Sequence, residues 1–390
     1  MNDPTAKPSD NNTSLIQYVE PCMVYDNPAP HVHSRHGYHP GLAKLPNGDL
    51  IALFVHGEAF ESPNGTTYVS HSSDMGNTWT VARPLYDKSN LLRESTDTMK
   101  PVVLRDGSLV ATGYKFYRDD PEQGIAIPET AGFLPGDNIV TFSHDGGVSW
   151  QKPEIVPRSY PELLENSGSC IETVSGDLVG TAGFYKLPDG TNPTGQFGAV
   201  LRSRDKGKTW DDRSFFVPPG EITPWETRIC EMQPGRLVTI IWAYDGKRDR
   251  HMTNRVTVSH DNGYTWSPLI DTGHMGQSSN LLWLGGEYLL SIHAHRGQDP
   301  GIYVRIVDFS NDGWNVVDEA NIWGGAGQQT RAGQSMTQMF ASLRFGQPSL
   351  LRLKTNEFLA CHWSIEEGQG KIRAHRLHIR ADHLGLGELQ

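Results

Sequence analysis

The residues with the most chemistry to offer stand at one recurring place in the chain. They are His39, Glu226, Gln277 and Gln347, with Lys100 or its neighbour Thr98 and Ser167 at the same place elsewhere. Glu226 leads, because a carboxylate can act as a general base or raise the basicity of a neighbour. Arg228 follows it by two residues, on the same side of a strand, so a plain ion pair is the competing reading. His39 ends a cluster of His31, His33, Arg35, His36 and Tyr38. Imidazoles exchange protons near neutral pH and ligate metals. No third ligand accompanies the His-x-His spacing, so no metal and no cofactor is expected. His31, His33 and His36 read as a solvated loop.

Further carboxylates occupy the segment His56-Gly57-Glu58-Ala59-Phe60-Glu61. Glu58 or Glu61 could protonate a leaving oxygen if Phe60 raised its pKa, and Asp97 is another candidate acid. Ser291 to Arg296 ends a strand with His293 and His295 on one face and Arg296 at the rim. Arg296, Arg344, Arg35 and Arg228 could clamp a carboxylate, since the guanidinium fork matches its geometry.

Repeated elements must position these groups. The pattern Ser-x-Asp-x-Gly-x-Ser/Thr-Trp occurs four times, at Ser72–Trp79, Ser143–Trp150, Ser203–Trp210 and Ser259–Trp266, with a decayed copy at Ser310–Trp314. Its Asp residues are separated by 71, 60, 56 and 51 residues, room for about four short strands each. Asp would accept backbone N–H bonds, Gly would take positive φ, and Trp would pack the turn onto the sheet. These Asp residues are turn formers and carry no catalysis.

A second repeat, strand, Gly-containing turn, strand, opens at His39, Lys100, Ser167, Glu226, Gln277 and Gln347. In the last copy Asn356 replaces the Gly, which the left-handed conformation tolerates. Alternating apolar positions give strands, and no stretch has a helical period. The pattern predicts an all-β chain: a six-bladed β-propeller of four-stranded antiparallel blades, closed by an N-terminal strand from Leu15 to Tyr25. Residues 1–14 form a polar, disordered tail and 15–390 one domain. The polar strand openings converge on the axis, where sugar hydroxyls need donors and acceptors.

Composition agrees. The 390 residues are 37% hydrophobic, enough for a sizeable core, and Gly 41 with Pro 25 suits many turns. A net charge of −11 argues against nucleic acid or an anionic membrane as partner. No apolar run could span a membrane or act as an export signal, so localisation stays open. Cys22, Cys170, Cys230 and Cys361 form no CxxC pair and read as buried thiols of a reducing compartment.

The Asp turns and six strand openings together resemble the sialidase (neuraminidase) superfamily, from about Leu15 to Ile379. The resemblance implies a sugar-active site at the propeller mouth. Glu226 in Trp225-Glu226-Thr227-Arg228 matches the Glu that partners the family's nucleophilic Tyr. Gln347 stands where that Tyr would be, and Tyr38 where the first-blade Arg would bind the sialic acid carboxylate. A second triad Arg would fall near Ile241-Trp242 and is absent, so the standard Tyr and Arg triad is not matched. The family's acid/base Asp comes from the loop that here holds Glu58 and Glu61.

Three functions are therefore open. The leading one is an exo-acting glycoside hydrolase on a terminal, acidic sugar, with Glu226 and Glu58 or Glu61 as base and acid and His39 assisting. Tyr38, Arg35, Lys100, Arg228, Gln277, Gln347, His295 and Arg296 would bind the oligosaccharide or glycoside substrate. The second is a polysaccharide lyase, with His39 or a neighbouring His abstracting a proton beside a uronate carboxylate. The third is a non-catalytic glycan-binding propeller, with Trp225, Tyr38 and Trp363 as platform.

Overall fold

The computed structural model describes residues 14–89, 92–220, 222–248, 250–325 and 342–386. Apart from Ser14, the tail expected over 1–14 lies outside them. Six antiparallel blades form a β-propeller. Their innermost strands are His36–Lys44, Ser95–Val103, the broken pair Leu163–Glu165 and Ile171–Glu172, Ile222–Gln233, Ser279–Gly285 and Phe345–Arg352. Each pairs with the next strand of its own blade, so sequence neighbours are sheet neighbours.

The expected closure holds. Ile16–Tyr25 is the outermost strand of blade 6 and runs antiparallel to Gln369–Ile379, with Ile16 opposite Ile379 and Tyr25 opposite Ile372. The ring is thus latched by strand pairing between the two ends of the chain. Apolar side chains fill the wedges between blades. Ile292, Ile302 and Val304 of blade 5 meet Phe345, Phe358 and Leu377 of blade 6. Ile51, Leu53 and Val69 of blade 1 meet Leu109, Ala111 and Ile139 of blade 2.

The four intact Asp turns join the third and fourth strands of blades 1 to 4, and each repeats one hydrogen-bond set. In the first, Gly76 N–H donates to Ser72 Oγ at 2.8 Å. Thr78 donates its N–H and hydroxyl to the Asp74 carboxylate at 2.9 and 2.6 Å, and Trp79 Nε1 reaches the Gly76 carbonyl at 3.1 Å. Gly76, Gly147, Gly207 and Gly263 all take the positive φ the turn requires, between 82 and 91°. The decayed copy is built differently: Asn311 and Asp312 carry the positive φ, and Asp308 caps Ser310. Asn356 does not carry a positive φ, so the turn before the last blade's second strand is made without the left-handed residue expected there.

These turns also join blades. Gly147 of blade 2 packs on Ile51 of blade 1, and Gly207 of blade 3 on Val110 of blade 2. Cations from the preceding blade reach the turn carbonyls: Arg376 to Met75, Arg83 to Val148 and Arg202 to Asn262. In the fifth turn Arg236 and His260 hold Asp312 instead, at 2.8 and 2.9 Å. All four cysteines are free thiols, three of them buried, while Cys22 keeps partial exposure. Among the described residues no helix is long and apolar enough to cross a membrane.

Two substitutions separate the turn from the staple. Asp74→Ala removes a charge-assisted cap and should cost about 1–2 kcal/mol in denaturant titration. Arg202→Ala strips the buried partner of Asp177, 2.7 Å away, and should cost about 3 kcal/mol or more. Equal losses from the two variants would contradict this division of roles.

Candidate active site at the propeller axis

Three of the six strand openings are built the same unusual way. His39, Glu226 and Gln347 have φ of 53, 42 and 38°, in the left-handed region that L-residues avoid. Each sits at a register shift in its inner strand: between Tyr38 and Gly41, Trp225 and Arg228, and Gly346 and Ser349. A bulge of this kind interrupts the ladder and re-aims one side chain. The three re-aimed side chains line one cavity at the axis, which Thr98 of blade 2 also lines.

At the centre, Gln347 Nε2 donates to Glu226 Oε1 at 2.6 Å, linking blade 6 to blade 4. Glu226 Oε2, Gln347 Oε1 and His39 Nδ1 are buried and have no hydrogen-bond partner among the described residues. The same is true of Thr96 and Thr98 hydroxyls, Glu165 Oε1 and the indole N–H groups of Trp225 and Trp363, all on cavity-lining residues. Buried polar atoms are nearly always paired, so such a concentration marks a place for a polar ligand or water. The walls are apolar and aromatic: Phe60, Phe116, Phe133, Trp225, Trp242 and Trp363. An aromatic wall facing a ring of donors and acceptors suits a sugar, which has apolar C–H faces and hydroxyl edges.

The electrostatics is mixed. Burial, then Lys100, Arg228 and Arg296, push the His39 imidazole well below its usual range, so it is neutral at neutral pH. Burial raises the Glu61 carboxyl, against an Ile125 N–H bond and the Arg118 charge that pull it down. Burial and the adjacent Glu226 push Glu165 up to about 7. Arg296, 3% exposed, is the guanidinium on the cavity wall; it donates to the Phe345 and Gln277 carbonyls and is pushed down to about 10 by burial. Gly346 is required beside it, because a Cβ there would lie 2.2 Å from Arg296 Nη2.

Most of the other predicted residues fall outside the cavity wall. Glu58 is exposed on its loop, so Glu61 alone of that pair reaches the cavity. Tyr38 is 2% exposed and packs edge-on against Phe60 and Trp363 within the core, since the bulge turns His39 to the axis in its stead. Arg35 is exposed on the loop before its strand. Lys100 lies behind the floor with Nζ on the His39 carbonyl, and Thr98 takes the lining position. Arg228 donates to Ser167 Oγ at 3.1 Å, because the bulge removes it from the side of the strand that Glu226 occupies. Gln277 is buried and contributes its carbonyl to Arg296. His295 bridges the Met275 and Gln298 carbonyls at the rim. Asp97 lines the cavity but is consumed by Thr66, Thr67, Tyr86 and Lys88, which leaves it no role as an acid. No group of three or more potential metal ligands exists among the described residues.

Glu165 was not anticipated. Its signal was a lone carboxylate in Leu163-Leu164-Glu165, two residues ahead of Ser167, in the one inner strand that breaks.

No protein-family model and no curated protein sequence matches the chain. Solved structures do. A protein of unknown function from Dyadobacter fermentans shares 22% identity at a TM-score of 0.74, over 94% of this chain and 99% of that one. The Hadza microbial sialidase Hz136 shares 17% at 0.65, over 90% and 68%. The NanB sialidase from Streptococcus pneumoniae shares 13% at 0.62, over 96% and 73%. At these identities the likeness is one of fold: a sialidase-like propeller.

The bulged backbone makes a sharp prediction at Gln347. Gly adopts positive φ freely, whereas Ala keeps a strain of about 1 kcal/mol. Both lose the Glu226 hydrogen bond, so Gln347→Gly should be more stable than Gln347→Ala by about 1 kcal/mol in denaturant titration. The reverse order would mean that the left-handed conformation is absent in solution.

Proposed function

We propose that the chain is a sialidase-like, exo-acting glycoside hydrolase that takes a terminal acidic sugar into the axial cavity. The observation that carries this is the convergence of His39, Glu226 and Gln347, each held in strained backbone, on one aromatic-walled pocket with unpartnered polar atoms. Strain kept at a ligand-facing position is characteristic of functional sites. The sialidase fold neighbours support the same reading.

Glu226, oriented through Oε1 by Gln347, uses Oε2 to take a proton from a water that attacks the anomeric carbon. Glu61, whose carboxyl burial keeps protonated to higher pH, donates its proton to the leaving oxygen. The glycosidic C–O bond breaks as the new C–O bond forms, and proton exchange with solvent resets both carboxyls. Neutral His39 accepts a hydrogen bond from a sugar hydroxyl through Nδ1. Arg296 on the wall supplies charge complementarity to the sugar's carboxylate. With an amide at 347 there is no phenol to form a covalent intermediate, so hydrolysis by this route inverts the anomeric configuration.

His39 also sustains a second reading. A neutral imidazole with a free Nδ1 at the cavity is a competent base, so a lyase acting beside a uronate carboxylate follows from the same geometry.

A panel of acidic oligosaccharides read by reducing ends, by ultraviolet absorption of unsaturated products and by anomeric NMR separates these activities. Hydrolysis with inversion is expected. Glu226→Gln should lower kcat by at least ~100-fold with little change in melting temperature. Unsaturated product would establish the lyase, and binding without turnover a glycan-binding propeller. Full activity in both Glu226→Gln and His39→Ala would remove the site assignment. Since Glu61 must be protonated to act, kcat should fall as pH rises through its elevated pKa, and Glu61→Gln should abolish that limb together with turnover.

A further inference from the structure

Glu165 has no part in that chemistry, although it lines the cavity and is only 2% exposed. Its two oxygens are treated unequally. Oε2 accepts the Glu226 main-chain N–H at 2.9 Å, which helps hold Glu226 in its left-handed conformation. Oε1 is buried with no hydrogen-bond partner among the described residues. A buried carboxylate oxygen left unpaired beside a second carboxylate is doubly unfavourable, whereas an O–H at that position has a use: it can donate to a ligand. Building on the reading of the cavity as an acidic-sugar site, we propose that Glu165 presents a carboxylic O–H from Oε1 to an oxygen of the bound sugar. It thereby becomes a specificity-determining residue, one that lets an anionic sugar settle where an ionised carboxylate would repel it.

The groups around it are consistent with this. The Glu226 charge faces it from blade 4 and, after burial, is the main influence raising it to about 7; a Ser167 hydroxyl hydrogen bond, the Arg228 charge and the Glu226 N–H bond act in the other direction. Tyr114 and Tyr185, joined through their hydroxyls at 2.8 Å, are held protonated by burial, with Glu165 and Glu226 adding to the effect. Lys100, from blade 2, is lowered to about 7 by burial and by Arg228. As pH rises through 7, Glu165 gains a negative charge and Lys100 loses a positive one, and each change disfavours an anion. Lys100 donates to the His39 carbonyl and is not on the cavity wall, so its share acts at a distance; Glu165 helps to keep it protonated, so Glu165→Gln shifts that share to lower pH. Glu165→Gln keeps an N–H donor and cannot ionise, which removes the Glu165 share.

The test is calorimetric titration of wild type and Glu165→Gln with glucuronate, galacturonate and N-acetylneuraminate, using glucose and galactose as uncharged controls. A site that must be protonated, with a pKa near 7, weakens wild-type Kd roughly 30-fold between about pH 6 and 8.5. Glu165→Gln should bind within about threefold of wild type at the lower pH and lose about tenfold or more of that pH dependence. Superimposable pH profiles would overturn the proposal, as would a large loss of affinity in Glu165→Gln at the lower pH. A second measurement needs no sugar. Infrared difference spectra should contain a carboxylic-acid carbonyl band that titrates near neutral pH and is missing from Glu165→Gln. Its absence from wild type overturns the proposal whatever binds. A band present while none of the three acids binds supports a protonated Glu165 and counts against the acidic-sugar reading instead.

Discussion

The site depends on a backbone constraint. A strand alternates its side chains, so a continuous inner strand would aim an apolar residue or a polar one at the axis according to register alone. Three of the inner strands escape that choice by inserting a bulge and placing His39, Glu226 and Gln347 in the left-handed region. Each such residue costs about 1 kcal/mol or more, a cost carried by the surrounding blades. What the constraint yields is a 2.6 Å contact between side chains 121 residues apart, Glu226 and Gln347, across the ring. Of the three blades without that device, 2 and 3 supply Thr98, Thr96 and Glu165 from a straight strand and a broken one, and 5 supplies Arg296.

The rest of the ring makes that strain tolerable. In a four-stranded antiparallel blade the turn between strands one and two and the turn between strands three and four lie at the same end. The Gly turns and the Asp turns are these two, so they cluster at the end away from the strand openings, where the site lies. There each Asp turn satisfies its own backbone and is gripped by a cation or an apolar side chain of the preceding blade. Stability is concentrated at one end of the propeller and strain at the other, leaving the loops between strands two and three, including the Glu61 loop, free to shape the mouth.

How much of this could be read in the chain differs by level. Blade number, strand count and ring closure were legible because turn chemistry is local: Asp, Gly and Trp at fixed offsets dictate one geometry wherever they occur. Counting back from the turn Gly also found His39, Glu226 and Gln347, since a repeat preserves its offsets. The same count returned Thr98, which lines the cavity, but also Ser167 and Gln277, which do not; Lys100, offered in place of Thr98, and Arg228, placed beside Glu226 by strand alternation, lie off the wall because bulges and breaks shift the register. Tyr38 illustrates the mechanism: the bulge beside it sends His39 to the axis and Tyr38 into the core. Asp97 was invisible as a structural carboxylate because its partners Thr67, Tyr86 and Lys88 converge only in the folded blade. Glu165 escaped because its strand is interrupted and no periodicity led to it.

The charge pattern explains why an acidic chain can still hold an anion. The net charge of −11 is distributed largely over the solvated surface, where screening limits its reach to about one Debye length, ~8 Å at physiological salt. Lys100, Arg228 and Arg296 lie beneath or beside the cavity, each 5% exposed or less, where the effective dielectric is lower and a charge acts further. Against them stand two central carboxyls, Glu226 and Glu165, which share a boundary through the Glu226 N–H. If both were ionised, the floor would hold three cations and two anions with the anions foremost, facing the ligand. Placing a proton on the more enclosed of the two turns that front into one acceptor and one donor. The floor can then meet a sugar that carries its own negative charge, with Arg296 at the wall and Lys100 and Arg228 acting from behind it.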